Sequence, residues 1–277
     1  MVSEVQSAFA SFKRIVHLLD VNDEIDDGLK EIDLPVDSIK FVNVNFSYQK
    51  NQPLITDFNL TIEKGEKVAI VGPTGCGKTT MINLLLRYYD PVSGTIYIDD
   101  INTLDIKKDN LRQAYGLVLQ DTWIFKGTVK DNIAYAKQDA SFEEVVKAAK
   151  LAHAHSFIKR LPNGYDTIIS ANSGLSQGEK QLITIARLMM LKPDMVILDE
   201  ATSSIDTRTE KKIVDAFHYM MNGRTSFIIA HRLSTIQEAD KIIVMKSGHI
   251  MEIGNHKELL AKGGFYARLY YRGIVDA

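Results

Sequence analysis

Several short stretches combine residue types that could do chemistry. GPTGCGKTT, Gly72 to Thr80, matches G-x-x-x-x-G-K-[ST] at every fixed position. It lies between an apolar strand-like run, KVAIVG, and a helix-like one, TTMINLLLRYY. Glycines at this spacing let successive backbone amides turn inward as an anion nest, and the following helix adds its positive end. In that frame Lys78 reaches the β- and γ-phosphates of a nucleotide and the Thr79 hydroxyl sits on Mg²⁺. Gly72, Pro73, Thr74, Gly75, Cys76, Gly77, Lys78, Thr79 and Thr80 are thus expected to hold the phosphates. A glycine-rich turn matching by chance would not need the strand before it and the helix after it.

MVILDE ends an apolar run in two adjacent carboxylates, Asp199 and Glu200. Successive strand side chains point opposite ways, so the two can take different roles. Asp199 suits the metal shell, and Glu200 suits polarising a water aimed at the γ-phosphate. Alone, an acidic strand end feeding the turn ATSSID explains the pair equally well; beside a phosphate loop that explanation loses ground. His231 follows SFIIA at the carboxyl edge of a strand, where α/β proteins hold ligands. A neutral imidazole there could bond the γ-phosphate or orient Glu200. Gln120 follows GLVL in the same way, and its amide could complete the Mg²⁺ and water shell. Tyr48 could stack on an adenine or simply end a strand. The other histidines show no metal-ligand pattern.

LSQGEKQ, Leu175 to Gln181, sits just before the helix-like LITIARLMML. Ser176 followed three residues later by Glu179 is a capping box. The same helix start leaves amides free for an anion. A Glu179 turned back as a cap would not repel a phosphate, which makes capping its expected role.

The elements that must position these residues alternate between strand and helix, the pattern of an α/β core. Strand-like runs fall at IKFVNVNFSY, at both sides of the Lys64-Gly65 turn, at GTIYIDDINT, MVILDE and RTSFIIAH, and in a hairpin over KIIVMKSGHIMEIG. Residues 141–160 read as one helix, and residues 179–191 as another ended by Lys192-Pro193. The stretch from about 121 to 180 is mostly helical and reads as an inserted lobe. Residues 4–20 carry helical apolar spacing and lead into an acidic linker, with a boundary near Pro35.

Composition bounds the class. The chain has 277 residues, 45% hydrophobic, enough for a real core. With 33 basic against 35 acidic residues and a net charge of -2, nothing points to nucleic acid. Cys76 is the single cysteine, so no internal disulfide forms, and a reducing compartment fits. Its place inside the phosphate loop predicts that alkylating it obstructs nucleotide binding. No secretory signal and no 18-residue apolar run is present.

Together these ordered motifs resemble the nucleotide-binding domain of ATP-binding-cassette (ABC) transporters, nearest the exporter type, over about residues 36 to 270. The resemblance implies an α/β fold: a P-loop NTPase core with an antiparallel β arm and an inserted α-helical subdomain at about 121–180. Residues 1–36 would be the end of a membrane-domain helix and its linker, and 37–277 the nucleotide-binding domain. It implies ATP and Mg²⁺ as cofactors, with Thr79, Gln120 and Asp199 on the metal and Glu200, His231 and Gln120 in catalysis. Tyr48 would stack on the adenine, and Leu175–Gln181 would be the family signature. Ser203 to Asp206 would be the loop crossing to the partner, with Asp206 at the nucleotide.

The resemblance also implies that ATP is hydrolysed only between two such domains packed head to tail, identical or different. Ser176 and Gly178 of one would face the γ-phosphate held by Lys78 of the other. The expected partners are a second such domain and a transmembrane domain of the same or a partner half-transporter, not nucleic acid. The place is the cytoplasmic face of the membrane, and the sequence reads as a piece of a longer half-transporter. Two departures stand out. Gln177 and Glu179 replace a glycine and the glutamine of the usual LSGGQ, and TIISANSG lacks the glutamate-bearing exporter pattern. Unequal ATP sites in exporters of two different subunits are one setting for such changes. The alternative is a non-transport ABC-type ATPase acting as a mechanical or regulatory module.

Overall fold

The computed structural model describes residues 2–21, 24, 27–50, 52–119, 122–137, 139–199, 205–229 and 233–271. Its centre is a six-stranded sheet in the order β12-β11-β3-β10-β9-β6. The strands are β3 (Lys67–Val71), β6 (Tyr115–Val118), β9 (Met195–Asp199), β10 (Thr225–Ile229), β11 (Lys241–Lys246) and β12 (His249–Gly254). All neighbours pair in parallel except β11 with β12, the expected hairpin. Parallel strands are covered on both faces and so read as unbroken apolar runs; every residue of β10 is buried. Along β3, Ala69 and Val71 point into one hydrophobic core while Val68 and Ile70 point into the other. The alternation of a strand thus divides the molecule into two layers about one sheet.

The first core joins the sheet to α4 (Val129–Ala134), α5 (Phe142–Leu151), α6 (His155–Ile158), α7 (Gln177–Leu191) and α8 (Thr207–Met221). A short ladder of β7 (Gly127–Thr128) and β8 (Ile168–Ile169) fastens the start of α4. The second core joins the sheet to α2 (Lys78–Leu85) and to an antiparallel arm in the order β2-β1-β4-β5. The arm strands are β1 (Ser38–Phe46), β2 (Ile55–Glu63), β4 (Ser93–Ile98) and β5 (Ile101–Asn102). α3 (Lys108–Gln113) leads into β6; α9 (Leu233–Gln237) lies between β10 and β11; α10 (His256–Lys262) and α11 (Phe265–Tyr271) close the described chain.

Register decides where the site falls. Ile229 at the end of β10 is opposite both Ile70 of β3 and Asp199 of β9. The carboxyl ends of the three central strands therefore meet at one edge, and the Gly72–Thr80 loop leaves β3 there.

Two elements differ from the sequence expectation. The single helix over 141–160 is broken: α5 ends at Leu151, His153 takes a left-handed φ of 58°, and α6 begins at His155. AAKLAHAHSF holds no glycine or proline to mark the break. Burial of Ala152 and Ala154 in the first core makes the reversal worthwhile.

The acidic linker, expected to be a spacer, is clasped to the core. The Glu24 carboxylate takes Arg112 Nη1 and Nη2 at 2.8 and 2.7 Å, and Lys108 Nζ lies 3.2 Å away. Asp27 bonds the guanidinium of Arg87, whose side chain is buried. Gly28 passes so close that a Cβ would lie 2.0 Å from the Ile106 carbonyl oxygen. Before this strap, α1 (Val2–Leu19) carries Phe9, Phe12, Ile15 and Leu18 in exposed positions. No helix among the described residues is long and apolar enough to cross a membrane.

Candidate functional site

The loop after β3 is built on three glycines with positive φ: Gly72 at 154°, Gly75 at 79° and Gly77 at 108°. Gly72 is fixed by crowding, since a Cβ there would lie 2.2 Å from the Met245 carbonyl oxygen. Gly77 stands at the N-cap of α2 in left-handed geometry, with no side-chain cap. No side chain of the N-cap residue takes up the first turn of α2, and a helix start of this kind suits an anion. Cys76 N donates to the Pro73 carbonyl at 3.1 Å and closes the turn.

Lys78 is only 8% exposed, and its Nζ donates to the Gly72 carbonyl at 2.5 Å. The ammonium is therefore held across the mouth of its own loop. A cavity of about 300 Å³ opens at this point. Thr74, Gly75, Gly77, Lys78, Thr79 and Thr80 line it, with Asp199 from the end of β9. The loop and Asp199, 119 positions after Thr80, therefore line one cavity. The Thr79 hydroxyl and the Asp199 carboxylate are hard oxygen ligands facing one space. They suit Mg²⁺, which takes few protein ligands and completes its shell with phosphate and water. Among the described residues no cluster of three His, Cys, Asp or Glu offers a fuller cage.

Tyr48 stands beside α2 and is 49% exposed. Its hydroxyl lies 3.3 Å from Thr80 Oγ1 and accepts from Asn83 Nδ2 at 3.2 Å. The rings of Phe46 and Tyr89 meet it edge-on, both with centroids 4.9 Å away. A ring anchored at its tip and edges, with a face open, can stack on a planar ligand. Asn83 and Tyr89 were not foreseen, although Asn83 follows Thr80 by three residues and so shares its helix face. Leu54 and Ile229, which supply apolar wall to the cavity, carried no sequence signal.

Cys76 differs from its expectation. Its side chain is 3% exposed and belongs to the second core, packed beneath Gly72. Only its backbone faces the loop's business, and an alkylating reagent has no direct path to the thiol.

Ser176 caps α7 in a reciprocal box: Glu179 N donates to Ser176 Oγ at 3.2 Å, and Ser176 N donates to Glu179 Oε2 at 3.0 Å. The Glu179 carboxylate is thus turned back on its own helix. Gln177 Nε2 donates to Thr122 Oγ1 at 3.2 Å, which accounts for an amide at this position. Gly178 is buried against the start of α8, where a Cβ would lie 2.5 Å from Thr209 Cγ2 and 2.9 Å from Ile205 Cγ2. Asp206 caps α8, accepting from the amides of Thr209 at 3.0 Å and Arg208 at 3.1 Å. The Thr209 amide in particular holds its carboxyl below the usual range.

None of Ser176, Gly178 and Asp206 lines the cavity that holds Lys78 and Asp199. Gln120, Glu200, His231, Ser203 and Ser204 lie outside the described residues. By sequence, Gln120, Glu200 and His231 follow the ends of β6, β9 and β10 by two, one and two residues.

The chain and its fold have counterparts among known proteins. A family model described as ABC transporter matches residues 55–203. An uncharacterized ABC transporter ATP-binding protein of Bacillus subtilis, YfiC, is 49% identical over 267 residues, covering 95% of this chain and 44% of the relative. A fatty acid ABC transporter ATP-binding/permease protein of Mycobacterium bovis is 48% identical over 270 residues, covering 97% of this chain and 43% of the relative. A solved bacterial Atm1-family ABC exporter with ATP bound superposes with a TM-score of 0.85 at 38% identity, over 97% of this chain and 47% of the other. The chain thus spans less than half the length of the relatives it matches.

Proposed function

The chain belongs to the ABC transporter family, and on that premise we propose that it is the ATP-hydrolysing domain of an exporter, working at the cytoplasmic face of a membrane. The observation that carries this reading is the 300 Å³ cavity in which Lys78, Thr79 and Asp199 converge on a glycine-built anion nest. ATP would lie with its adenine on Tyr48 and its phosphates across the amides of the Gly72–Thr80 loop. Mg²⁺, held by Thr79 and Asp199 with Gln120 beside them, would neutralise phosphate charge. Lys78 is held at the loop by its bond to the Gly72 carbonyl and would exchange it for phosphate oxygens. Glu200 would accept the proton of the attacking water, with His231 orienting it toward the γ-phosphate.

One chain does not complete this site. The capped start of α7 would offer Ser176 and the helix's positive end to an anion, yet lies outside the cavity of its own Lys78. A second domain packed head to tail would supply those groups, with Asp206 on the crossing loop. The printed names of the relatives join ATP-binding and permease parts in one protein. A fused or partner transmembrane domain is the corresponding expectation for this chain, and the strapped linker behind α1 is the natural route to it.

Glu200→Gln tests the chemistry. It should keep ATP binding, slow hydrolysis at least about a hundredfold, and favour an ATP-bound dimer. Hydrolysis at the unaltered rate would remove Glu200 from the mechanism.

A further inference from the structure

At the end of α7 far from its cap, two adjoining cavities of about 180 and 270 Å³ open between α5, α7 and α8. They share Lys147, Leu151, Met189 and Lys192, so they form one hollow. Its floor is apolar, with Leu188, Met189 and Met220 buried. Its rim is cationic. Among the described residues the ammonium groups of Lys147 and Lys192 meet no acceptor, and Arg224 donates Nη1 to the Met220 carbonyl at 2.5 Å. The one carboxylate in the lining, Glu144, is engaged by Lys137 at 2.7 Å. The lining therefore carries four cations against one anion, a surplus of three in a chain whose net charge is -2.

Cations also collect at helix C-termini, where they offset the negative end of the helix dipole. Lys192, the left-handed C-cap of α7, fits that role. It does not account for Lys147, which lies within α5, nor for an apolar hollow between the charges. A low-dielectric floor ringed by one sign of charge focuses the field on whatever enters. Taken as one hollow, the volumes of about 180 and 270 Å³ reach only the low end of the roughly 300–1,000 Å³ of drug-sized pockets, which suits a ligand of one headgroup and a short chain. Methionine side chains are flexible and mould themselves to a flexible apolar chain.

We propose that this hollow binds a small amphipathic anion, a carboxylate on a short unbranched apolar chain. The headgroup sits between Lys147 and Lys192, and the chain lies on the Leu188–Met189–Met220 floor. Such a ligand bridges α5 and α7 to α8, and its binding does not depend on nucleotide chemistry.

Methyl-labelled methionine spectra of the chain, titrated with octanoate, test the site. Octanoate should shift the Met189 and Met220 methyls saturably. Acetate, which lacks the chain, and octyltrimethylammonium, which reverses the head, should not. Neutralising the rim with Lys147→Gln and Lys192→Gln should weaken octanoate about fivefold to tenfold, while Lys147→Arg with Lys192→Arg restores it. ATP affinity and thermal midpoint should stay unchanged in both variants, which verifies the fold. An equal response to octyltrimethylammonium or to acetate, full octanoate affinity after neutralisation, or no saturable shift overturns the proposal. The last result would leave the cations as complements of helix ends only.

Discussion

Cys76 shows how a residue can belong to a motif and yet keep its side chain out of the chemistry. Its thiol faces the second core at 3% exposure, so alkylation requires the loop to open first. Reaction with a maleimide in native buffer should be slower than in denaturant by roughly a hundredfold or more; equal rates would place the thiol at the surface. Glu179 tells the opposite story, since a departure from the family signature turns out to be a working cap. Ser176→Ala should cost about 1 kcal/mol in chemical denaturation. Glu179→Gln retains a capping-box acceptor and should change neither stability nor ATP-driven dimerisation, whereas several-fold tighter dimers would reveal charge repulsion. Gly178→Ala drives a methyl into Thr209 and Ile205. Overpacking of this kind costs about 1–3 kcal/mol, and a loss of that size should appear in the thermal midpoint. Capping and the phosphate loop were legible in the sequence because both are local spacings. The orientation of Cys76 and the support of Tyr48 by Tyr89 were not, because each depends on residues brought together only by packing.

At the scale of elements, periodicity named the strands and the long helices well. β10 reads as unbroken apolar because it is buried on both faces, and β2 alternates because only one face is. The break between α5 and α6 was hidden, since alanines fit a helix and a buried turn equally. The clasp on the linker was also hidden: an acidic run looks solvated until the arginines that meet it, far along the chain, fold beside it. Arg112 above all, with Lys108 beside it, holds Glu24 at about 2, against an ordinary value of 4.5. A depressed carboxyl stabilises the fold above its unfolded value and loses that contribution as pH falls through the folded one. The denaturant-midpoint difference between the chain and its Glu24→Gln variant should therefore be constant above about pH 5. It should shrink below the ordinary value and vanish near the folded one. A difference that grows on acidification would show that the Arg112 pair is not what holds the strap.

For the whole molecule, the decisive fact is a division. The cavity with Lys78, Thr79 and Asp199 and the capped start of α7 belong to the same chain but not to the same site. The sequence singles out both stretches, and the fold keeps them apart within one copy. If two copies complete each other, hydrolysis per mole of chain should rise with protein concentration. The sharper measurement is complementation between Lys78→Ala and Ser176→Arg, each inactive alone. In a head-to-tail pair the mixed dimer joins the intact loop of one variant to the intact helix start of the other. An equal mixture should recover up to about one quarter of the unaltered activity if the two sites of the dimer are independent. No recovery on mixing, with the unaltered chain active under the same conditions, would contradict a site shared between two chains.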